Sequence, residues 1–378
     1  MARRILSLFA NIGVAEAYLQ ELGFEVKVAN ELLPERAALY QSIYPETKMI
    51  CGDITQKEIF DTIIFESKKC EVDIVMATPP CQGMSTAGRK RNADVLNHLF
   101  LYAVAAIKEI KPCYFLFENV SAFMNTSILY EGTTQSIPSI IMNLLGDQYE
   151  IQFNVIDASD YGVPQNRGRV IVLGTRKDVS RIWEMPKAND KKVTMRDAIG
   201  DIPIIDPFVR DIPEKVFKSL FPLYEKRKKK ALSISKWNIP PKHVLRQVVV
   251  MQHTPTGKTA FDNTNEFLPR KINGEVVKGF HNTYKRQNWD TPAYTIAMDN
   301  IEISSQNNVH PGRLIGKDEK GYDIYSDPRA LTLYELMRIM TIPDSWPIPD
   351  DVNIHLLRRV IGEGVPSLLI RKIFQQII

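Results

Sequence analysis

The chain has 378 residues, of which 44% are hydrophobic and 24% charged, and its formal net charge is +4. This length and composition are typical of a globular protein with one large and one smaller domain, and they exclude disordered and fibrous classes. Residues 181–300 carry 22 Lys and Arg against 13 Asp and Glu. Such a local basic excess favours a polyanionic partner, although lysines on a solvated surface would give the same count.

The cysteines and the N-terminus bear on the cellular compartment. Four cysteines lie in the first third of the chain without a C-x-x-C pair, which indicates neither a zinc site nor a disulfide framework, and we expect a reducing compartment and no metal. The first 17 residues imitate a secretory signal, but Asn11 interrupts the apolar run and cleavage after Ala17 would remove the first predicted strand. No stretch approaches the roughly 20 apolar residues of a membrane span.

Predicted strands and helices alternate as far as about residue 180. Helices are predicted at 14–22, closed by Gly23, and at 96–110. The continuous apolar runs that we interpret as strands are RILSLF (4–9), FEVKVANE (24–31), MICGD (49–53), VDIVMA (72–77), CYFLFENV (113–120) and VIVLGT (170–175). Runs of this kind separated by helices predict an α/β fold with a mostly parallel, doubly wound sheet that is covered on both faces.

The pattern changes after residue 180. Periodicity is weak from 181 to about 330, which predicts a second, smaller and loop-rich domain with some β-structure. Helical patterns return at 331–340 and 365–378, and the spacing of the apolar residues in the last segment predicts that it packs on the first domain.

Polar and reactive side chains follow the ends of the predicted strands. Because ligands of parallel sheets sit at the carboxyl ends of the strands, the fold should gather these residues along one edge. They are Asn11 to Gly13, Glu31, Asp53, Cys81 and Glu118. Pro79 and Pro80 restrict the backbone that presents Cys81, as a poised nucleophilic thiolate requires. A lone cysteine is otherwise more often a small buried hydrophobe.

Glu118 ends an apolar strand, FLFE. Desolvation there would raise the pKa of its carboxyl unless the group meets a partner. A carboxyl kept partly protonated near neutrality can protonate a ring nitrogen. The alternatives are a helix N-cap or a buried ion pair with a nearby arginine.

Eight segments, in order, resemble the motifs of the cytosine-C5 DNA methyltransferases of the bacterial modification type. The segments are LFANIG, NELLP, GDI, PPCQGMS, FENV, QNRGR, RALTLYELMRIMTIPDSW and IGEGVP. The resemblance spans about 4–180 and 284–378 and leaves 181–283 without a motif. It implies a catalytic domain at 1–180 that binds S-adenosylmethionine and is completed by 353–378. A DNA target-recognition domain at 181–328 and a connecting segment at 329–352 would follow.

The resemblance also implies the chemistry. Cys81 would add to C6 of cytosine, and Glu118 would hold N3 and N4 and supply the proton that makes C6 electrophilic. Arg169 would hold the ring O2, with Arg167 beside it among the catalytic residues in a structural or backbone role. C5 would then take a methyl group from S-adenosylmethionine, and loss of the C5 proton would expel the thiolate. Without the other motifs, the two arginines would be read as an exposed strand start.

The chain has no G-x-G-x-x-G and no P-loop, so nothing in it predicts a phosphate cradle. The resemblance instead assigns Glu31 to the ribose hydroxyls, Asp53 to the adenine amino group and Phe9 to stacking on the adenine of S-adenosylmethionine. The other residues that we expect at this cofactor are Asn11, Ile12, Gly13, Leu32, Ile54, Pro80, Leu99 and Glu363.

Three positions depart from the family pattern. Asn11 stands where the first loop usually has glycine, and asparagine is the non-glycine residue that best tolerates a left-handed backbone. Glu363 stands where the closing motif usually has asparagine, and we expect its carboxylate to accept from the ammonium of the cofactor. Leu96 replaces an arginine of the family, and the sequence does not indicate what takes over its role.

Double-stranded DNA is the expected partner, and the target base must be flipped out to reach a thiol at a sheet edge. Segment 82–98 would close over that base, or else be a solvated basic loop, and KRKKK (226–230) would contact phosphates or form a solvated helix end. Segment 253–263 is the candidate for reading bases. The residues that we expect to contact DNA are Gln82, Ser85, Arg89, Lys90, Arg91, His253, Thr254, Thr256, Gly257 and Lys258.

Other functions are compatible with parts of the pattern. A tRNA cytosine-C5 methyltransferase would share the PCQ, ENV and Q-x-R-x-R segments, but the long basic insertion favours duplex DNA. A catalytically silent DNA-binding regulator is disfavoured by the presence of Cys81, Glu118 and Arg169, and a redox thiol protein by the lack of a nearby resolving cysteine. We expect a bacterial, cytoplasmic and nucleoid-associated monomer. A cognate restriction endonuclease could belong to the same system, with no direct contact implied.

Overall fold

The computed structural model describes residues 3–80, 96–304 and 306–378. Its centre is a seven-stranded sheet in the order β3-β2-β1-β4-β5-β9-β8. Strands β1 to β5 are parallel, β9 is antiparallel to β5, and β8 is antiparallel to β9. The bounds are β1 (Arg3–Leu8), β2 (Phe24–Glu31), β3 (Lys48–Cys51), β4 (Ile74–Ala77), β5 (Tyr114–Asn119), β8 (Tyr149–Asp157) and β9 (Gly168–Arg176). The predicted mostly parallel α/β sheet is confirmed.

Both faces of the sheet are covered. Leu6 and Leu8 of β1 face a layer built from α2 (Lys57–Lys69), α3 (Phe100–Ile110) and α4 (Ile137–Leu145). Ile5, between them, faces the opposite layer, since successive strand residues alternate between faces. That layer contains the last α-helix, α11 (Ser367–Phe374). The ring of Phe374 lies 5.1 Å from that of Phe24, so the predicted packing of the C-terminal helix on the first domain is confirmed.

The predicted helix at 14–22 is wrong. The segment forms turns that end in a 3-10 helix, Gln20–Leu22, and Gly23 follows with φ 81°. The amides of Ala17 and Leu19 donate to the carbonyls of Val14 and Glu16, only three residues back, and the carbonyl of Val14 also accepts from the hydroxyl of Ser367 at 2.7 Å. The Val14 carbonyl thus bonds both within the turn and to the C-terminal segment, and neither bond is the bond to the fourth following amide that an α-helix requires.

Residues 181–330 contain more helix than we predicted. Among the residues described there, four α-helices, α5 (Met195–Ile199), α6 (Glu214–Leu220), α7 (Tyr224–Leu232) and α8 (Leu245–Gln252), alternate with long irregular connections. Apart from isolated bridges, the β-structure in the described part of this segment consists of two short pairs, β10 (Phe208–Val209) with β11 (Lys242–His243) and β12 (Leu314–Lys317) with β13 (Asp323–Tyr325).

The other strands and α-helices of the described ranges are a hairpin after β5, with strands β6 (Ser127–Tyr130) and β7 (Thr133–Ser136), and three α-helices. The helices are α1 (Pro34–Ile43), α9 (Leu333–Ile339) and α10 (Ile354–Glu363). No helix in the described ranges is both long and apolar enough to cross a membrane.

A buried ionic cluster joins the middle of the chain to α9. Arg329 lies 2.8 Å from Asp327 and 2.8 Å from Glu335, and all three side chains are fully buried. Burial lowers the pKa of the neighbouring His310 to about 4, so this imidazole is neutral. Arg286 donates to the carbonyls of Met251 and His310. Arg329 is thus paired with two buried carboxylates, and buried Arg286 is hydrogen-bonded by carbonyl oxygens, as burial in a low-dielectric interior demands.

Candidate active site

One edge of the sheet collects the side chains that the sequence singled out. The parallel strands β1 to β5 end at this edge, and β9 begins there because it is antiparallel to β5. The strand order reverses between β1 and β4, which is where open α/β sheets bind ligands. Residues at the edge are Phe9, Glu31, Asp53, Thr78, Glu118 and Arg169.

The loop after β1 has an unusual backbone. Phe9, Asn11 and Gly13 have φ values of 59°, 51° and 82°, so all three are left-handed. The tolerance expected of asparagine at position 11 is therefore used. A Cβ at Gly13 would lie 2.2 Å from the ring of Tyr44, and the hydroxyl of Tyr44 donates to the Gly13 carbonyl at 2.5 Å. Glycine is required here by both φ and space.

Glu31 is fixed by this loop. Its Oε2 accepts from the amide of Asn11 at 3.0 Å, and its Oε1 accepts from the amide of Leu33 at 3.0 Å. Each oxygen keeps a second lone pair, which suits a pair of neighbouring hydroxyl donors. Asp53 is oriented in the same way, since its Oδ1 accepts from the amide of Thr55 at 2.9 Å.

The apolar residues expected at the cofactor divide into two groups. Phe9 and Leu99 are half-buried and Leu32 is 56% exposed, so these three are accessible at the edge. Ile12 and Ile54 are only 0% and 3% exposed, and they pack in two separate core clusters. Ile54, which we expected to line the cofactor pocket, and Ile12, which we expected at the cofactor, are both covered by other core residues, so neither side chain is accessible to a ligand.

Glu118 and Arg169 form an ion pair across β5 and β9. The guanidinium Nε lies 2.7 Å from the carboxylate Oε1, and the side chains are 10% and 12% exposed. The antiparallel register sets Glu118 opposite Ile171, two residues along from Arg169. The ion pair is one of the structural alternatives considered for Glu118. It also places side by side the two groups that the resemblance assigns to one pyrimidine ring.

Asn119, which the sequence analysis did not single out, fixes the segment after β4. Its Nδ2 donates to the carbonyl of Pro79 at 3.1 Å, and its Oδ1 accepts from the amide of Val120 at 2.8 Å. The hydroxyl of Thr78 donates to the carbonyl of Phe9 at 3.1 Å. The backbone leading to half-buried Pro80 is thus tied to β5 and to the loop after β1, which we call the cofactor loop below. The only sequence signal for Asn119 was its place in FENV.

Several predicted residues fall outside the described ranges. They are the nucleophile Cys81 and the expected DNA contacts Gln82, Ser85, Arg89, Lys90 and Arg91.

Arg167 has no access to a substrate. It is 2% exposed, and its guanidinium donates to the carbonyls of Ile296, Gly362 and Gly364 at 2.9, 3.1 and 2.9 Å. It therefore joins three segments of the chain. We grouped Arg167 with the catalytic residues, and a direct contact between its side chain and a ligand is wrong because the side chain is buried. Its hydrogen bonds fit the structural role that the resemblance also implied.

The two departures from the family's cofactor motifs contact each other. The Nδ2 of Asn11 lies 3.5 Å from the Oε2 of Glu363. That same oxygen lies 2.8 Å from Arg36, and the other carboxylate oxygen lies 3.2 Å from Arg359. Nothing in the sequence pointed to Arg36, because its partner is more than 300 residues away along the chain.

The turns that follow this loop carry a buried carboxyl group, that of Glu16, which the sequence analysis missed. Glu16 is 3% exposed, and the hydroxyl of Ser7 donates to its Oε1 at 2.6 Å. Burial raises the pKa of Glu16 to about 7. A single glutamate among the small and apolar residues of VAEAYL was the available signal.

The predicted base-reading segment is turned largely inward. Thr254 is fully buried and donates to the carbonyl of Val250, and the hydroxyl of Thr256 donates to the carbonyl of Pro311, both at 2.8 Å. His253 stacks on Phe267 with ring centroids 3.5 Å apart. A base-reading role for Thr254 is therefore wrong, and the polar atoms of Thr256 and His253 already have partners.

The other two residues of that set differ from each other. Gly257 is half-buried in a left-handed turn with φ 74°, whereas Lys258 is exposed. Large apolar side chains are also exposed nearby in the sequence, although we did not expect them: Phe261 (37%), Ile272 (95%) and Phe280 (64%).

The basic run 226–230 lies on α7. Lys226, Lys229 and Lys230 are exposed, whereas Arg227 pairs with Asp206. Three lysines of the run are thus exposed on a helix, which is compatible with both of its interpretations, phosphate contacts and a solvated helix end. Within the described residues, no group of three or more His, Cys, Asp or Glu is arranged to hold a metal.

Sequence comparisons relate the chain to one family of known proteins. A family model described as C-5 cytosine-specific DNA methylase matches residues 3–378. Type II methyltransferase M1.HgaI of Avibacterium volantium is 41% identical over 98% of this chain and 97% of its own length. Type II methyltransferase M.XorII of Xanthomonas oryzae pv. oryzae is 28% identical over 98% and 84%.

Solved structures show the same fold. A prophage-encoded E. coli protein assigned as a DNA modification methyltransferase superimposes with a TM-score of 0.64 at 22% identity, over 99% of this chain and 98% of that one. A variant of Spodoptera frugiperda DNMT2 gives a TM-score of 0.59 at 17% identity, over 99% of both chains. At these identities the likeness concerns the fold alone.

Proposed function

The chain belongs to the C-5 cytosine-specific DNA methylase family, and we infer that it is the modification enzyme of a type II restriction-modification system. It transfers a methyl group to C5 of a cytosine in double-stranded DNA. The observation that carries this function is the Glu118–Arg169 pair at the sheet edge, next to the anchored Pro79 backbone and the loop that orients Glu31.

The residues at the edge fit S-adenosylmethionine as the methyl donor. Glu31 and Asp53 present acceptors that suit ribose hydroxyls and an adenine amino group, and Phe9 offers a half-buried ring. The Oδ1 of Asn11 is buried without a partner in the described residues, and beside it lies the Glu363 carboxylate. Both are acceptors for an ammonium group. When bound, S-adenosylmethionine supplies an electrophilic methyl group.

Substrate chemistry falls to the chain's own side chains. A thiolate at Cys81 adds to C6 of a flipped-out cytosine, which makes C5 nucleophilic. Glu118 binds N3 and N4 and donates the proton at N3, while Arg169 holds the ring O2. Opening the ion pair frees both groups toward one planar ring, so the pair keeps them in register before the base arrives. Once C5 carries the transferred methyl group, loss of the C5 proton to water restores the double bond between C5 and C6 and expels the Cys81 thiolate.

The basic middle of the chain supplies the DNA contacts in this proposal. Lys226, Lys229 and Lys230 on α7, together with Lys258, are exposed cations suited to phosphates. Phosphate contacts of this kind give an affinity that falls steeply with salt.

Bisulfite sequencing of DNA from cells expressing the protein tests the proposal. We expect unconverted cytosines at one recurring sequence, and full conversion when Cys81→Ala is expressed at the same level. Purified protein that methylates tRNA but not duplex DNA would refute the choice of substrate. Undiminished methylation by Cys81→Ala would refute the covalent mechanism.

A further inference from the structure

Three residues from distant parts of the chain meet beside the cofactor loop. Asn11 lies in the loop after β1, Arg36 in the first turn of α1, and Glu363 at the last residue of α10. The Oε2 of Glu363 has two neighbours, since it lies 2.8 Å from the Arg36 guanidinium and 3.5 Å from the side-chain Nδ2 of Asn11. The side chains of Arg36 and Glu363 are only 14% and 20% exposed.

The second arginine near Glu363 differs in position. Arg359 is one turn earlier on α10, lies 3.2 Å from Oε1, and is 53% exposed. Exposed pairs of this kind contribute little, because solvent screens them and side-chain entropy opposes them. Arg36 therefore fixes the carboxylate on the side of Asn11, and Arg359 is peripheral.

The cluster leaves one acceptor unused. The Oδ1 of Asn11 is buried and has no hydrogen-bond partner in the described part of the chain. A buried acceptor without a partner is costly, and a ligand donor that satisfies it removes that cost. The backbone amide of the same residue donates to Glu31 at 3.0 Å, so this acceptor stands next to the residue assigned to the ribose.

We propose that Arg36 is a positioning residue for the amino-acid end of the cofactor. Its ion pair holds Glu363 against Asn11, so that the Asn11 Oδ1 and the Glu363 carboxylate together accept from the ammonium group of S-adenosylmethionine. The side chains at positions 11 and 363 then work as a unit. This inference rests on the proposed function.

Binding of two cofactor fragments to the purified full-length protein tests the inference. S-adenosylhomocysteine carries the amino-acid end, whereas 5′-methylthioadenosine lacks it. By calorimetry, Arg36→Met should weaken S-adenosylhomocysteine binding by about tenfold or more. This is the effect of losing one charge-assisted hydrogen bond, here the one between the ligand's ammonium group and a Glu363 carboxylate that is no longer held in place. The affinity for 5′-methylthioadenosine should stay within about twofold, because ribose and adenine contacts do not involve Arg36.

Matched variants separate positioning from damage to the pocket. Arg359→Met, which removes the exposed partner of the same carboxylate, should change neither affinity by more than about twofold. In a Glu363→Gln background, Arg36→Met should add no further loss, because Arg36 acts through that carboxylate. Glu363→Gln alone should reproduce the selective loss, which keeps the test available if Arg36→Met fails to fold.

Two results would overturn the inference while leaving the proposed function intact. One is an equal loss of affinity for both fragments in Arg36→Met and Glu363→Gln. The other is an unchanged affinity for S-adenosylhomocysteine in both variants. Failure of the wild-type protein to bind either fragment would instead refute the proposed function.

Discussion

Glu16 should make the stability of the protein depend on pH. Its carboxyl is buried beneath the cofactor loop, where burial raises its pKa from an ordinary value of 4.5 to about 7. The folded protein therefore keeps a proton that the unfolded chain releases as the pH rises above 4.5. Stability falls across this interval and the loss is complete above about pH 7, where both states are ionised. At 1.36 kcal/mol per unit, the shift corresponds to roughly 3 kcal/mol.

Urea unfolding of the wild type and of Glu16→Gln between pH 4 and 8 measures this effect. Glutamine keeps the acceptor for the Ser7 hydroxyl but cannot ionise, so the difference between the two unfolding free energies cancels the titration of all other groups. We expect the variant to gain roughly 3 kcal/mol relative to wild type between pH 4.5 and 7.5.

A second variant tests the direction in which the Ser7 hydrogen bond shifts the pKa of Glu16. The Ser7 hydrogen bond lowers the pKa of Glu16 against the larger effect of burial, so Ser7→Ala should extend the loss of stability to higher pH. A difference curve for Glu16→Gln that stays flat from pH 4 to 8 would refute the reasoning, since it would mean that the carboxyl ionises alike in both states.

Three further substitutions test the site and the core. Glu118→Gln should lower kcat by about 100-fold or more with S-adenosylhomocysteine binding unchanged, and an active variant would contradict its role as acid. Arg329→Met strands two buried carboxylates and should cost about 3–5 kcal/mol in urea unfolding. Gly13→Ala should cost about 1–3 kcal/mol more than Gly23→Ala, because both positions have left-handed φ but only the first meets the Tyr44 ring; equal losses would show that the ring yields.

Strand positions were predictable because burial on both faces leaves a continuous apolar run. FEVKVANE, for example, corresponds residue for residue to β2. Direction was not predictable, because VIVLGT has the same apolar content whether β9 runs parallel or antiparallel. The outer strand β8 was missed, since most of its residues are only half-buried and no clear apolar run marks it.

The position of Glu31, Glu118 and Arg169 at one sheet edge was predictable because a local motif carries each of them, and their roles stay predictions. Arg36 and Glu16 were not predictable, because their roles come from contacts that only the folded chain creates. The prediction for the segment around Thr254 was wrong for the opposite reason. The polarity of the segment suggested an exposed surface, but the Thr254 hydroxyl is hydrogen-bonded within the fold.

The link between Asn11 and Glu363 spans 352 positions along the chain. During synthesis the cofactor loop leaves the ribosome long before α10 does, so the nascent chain lacks the carboxylate that closes this corner of the cleft. Domains fold as their residues emerge, and here the last helices must return to the first strand. In the proposed function, the amino-acid end of the methyl donor can therefore be held only after α10 has been synthesised and has packed beside this loop.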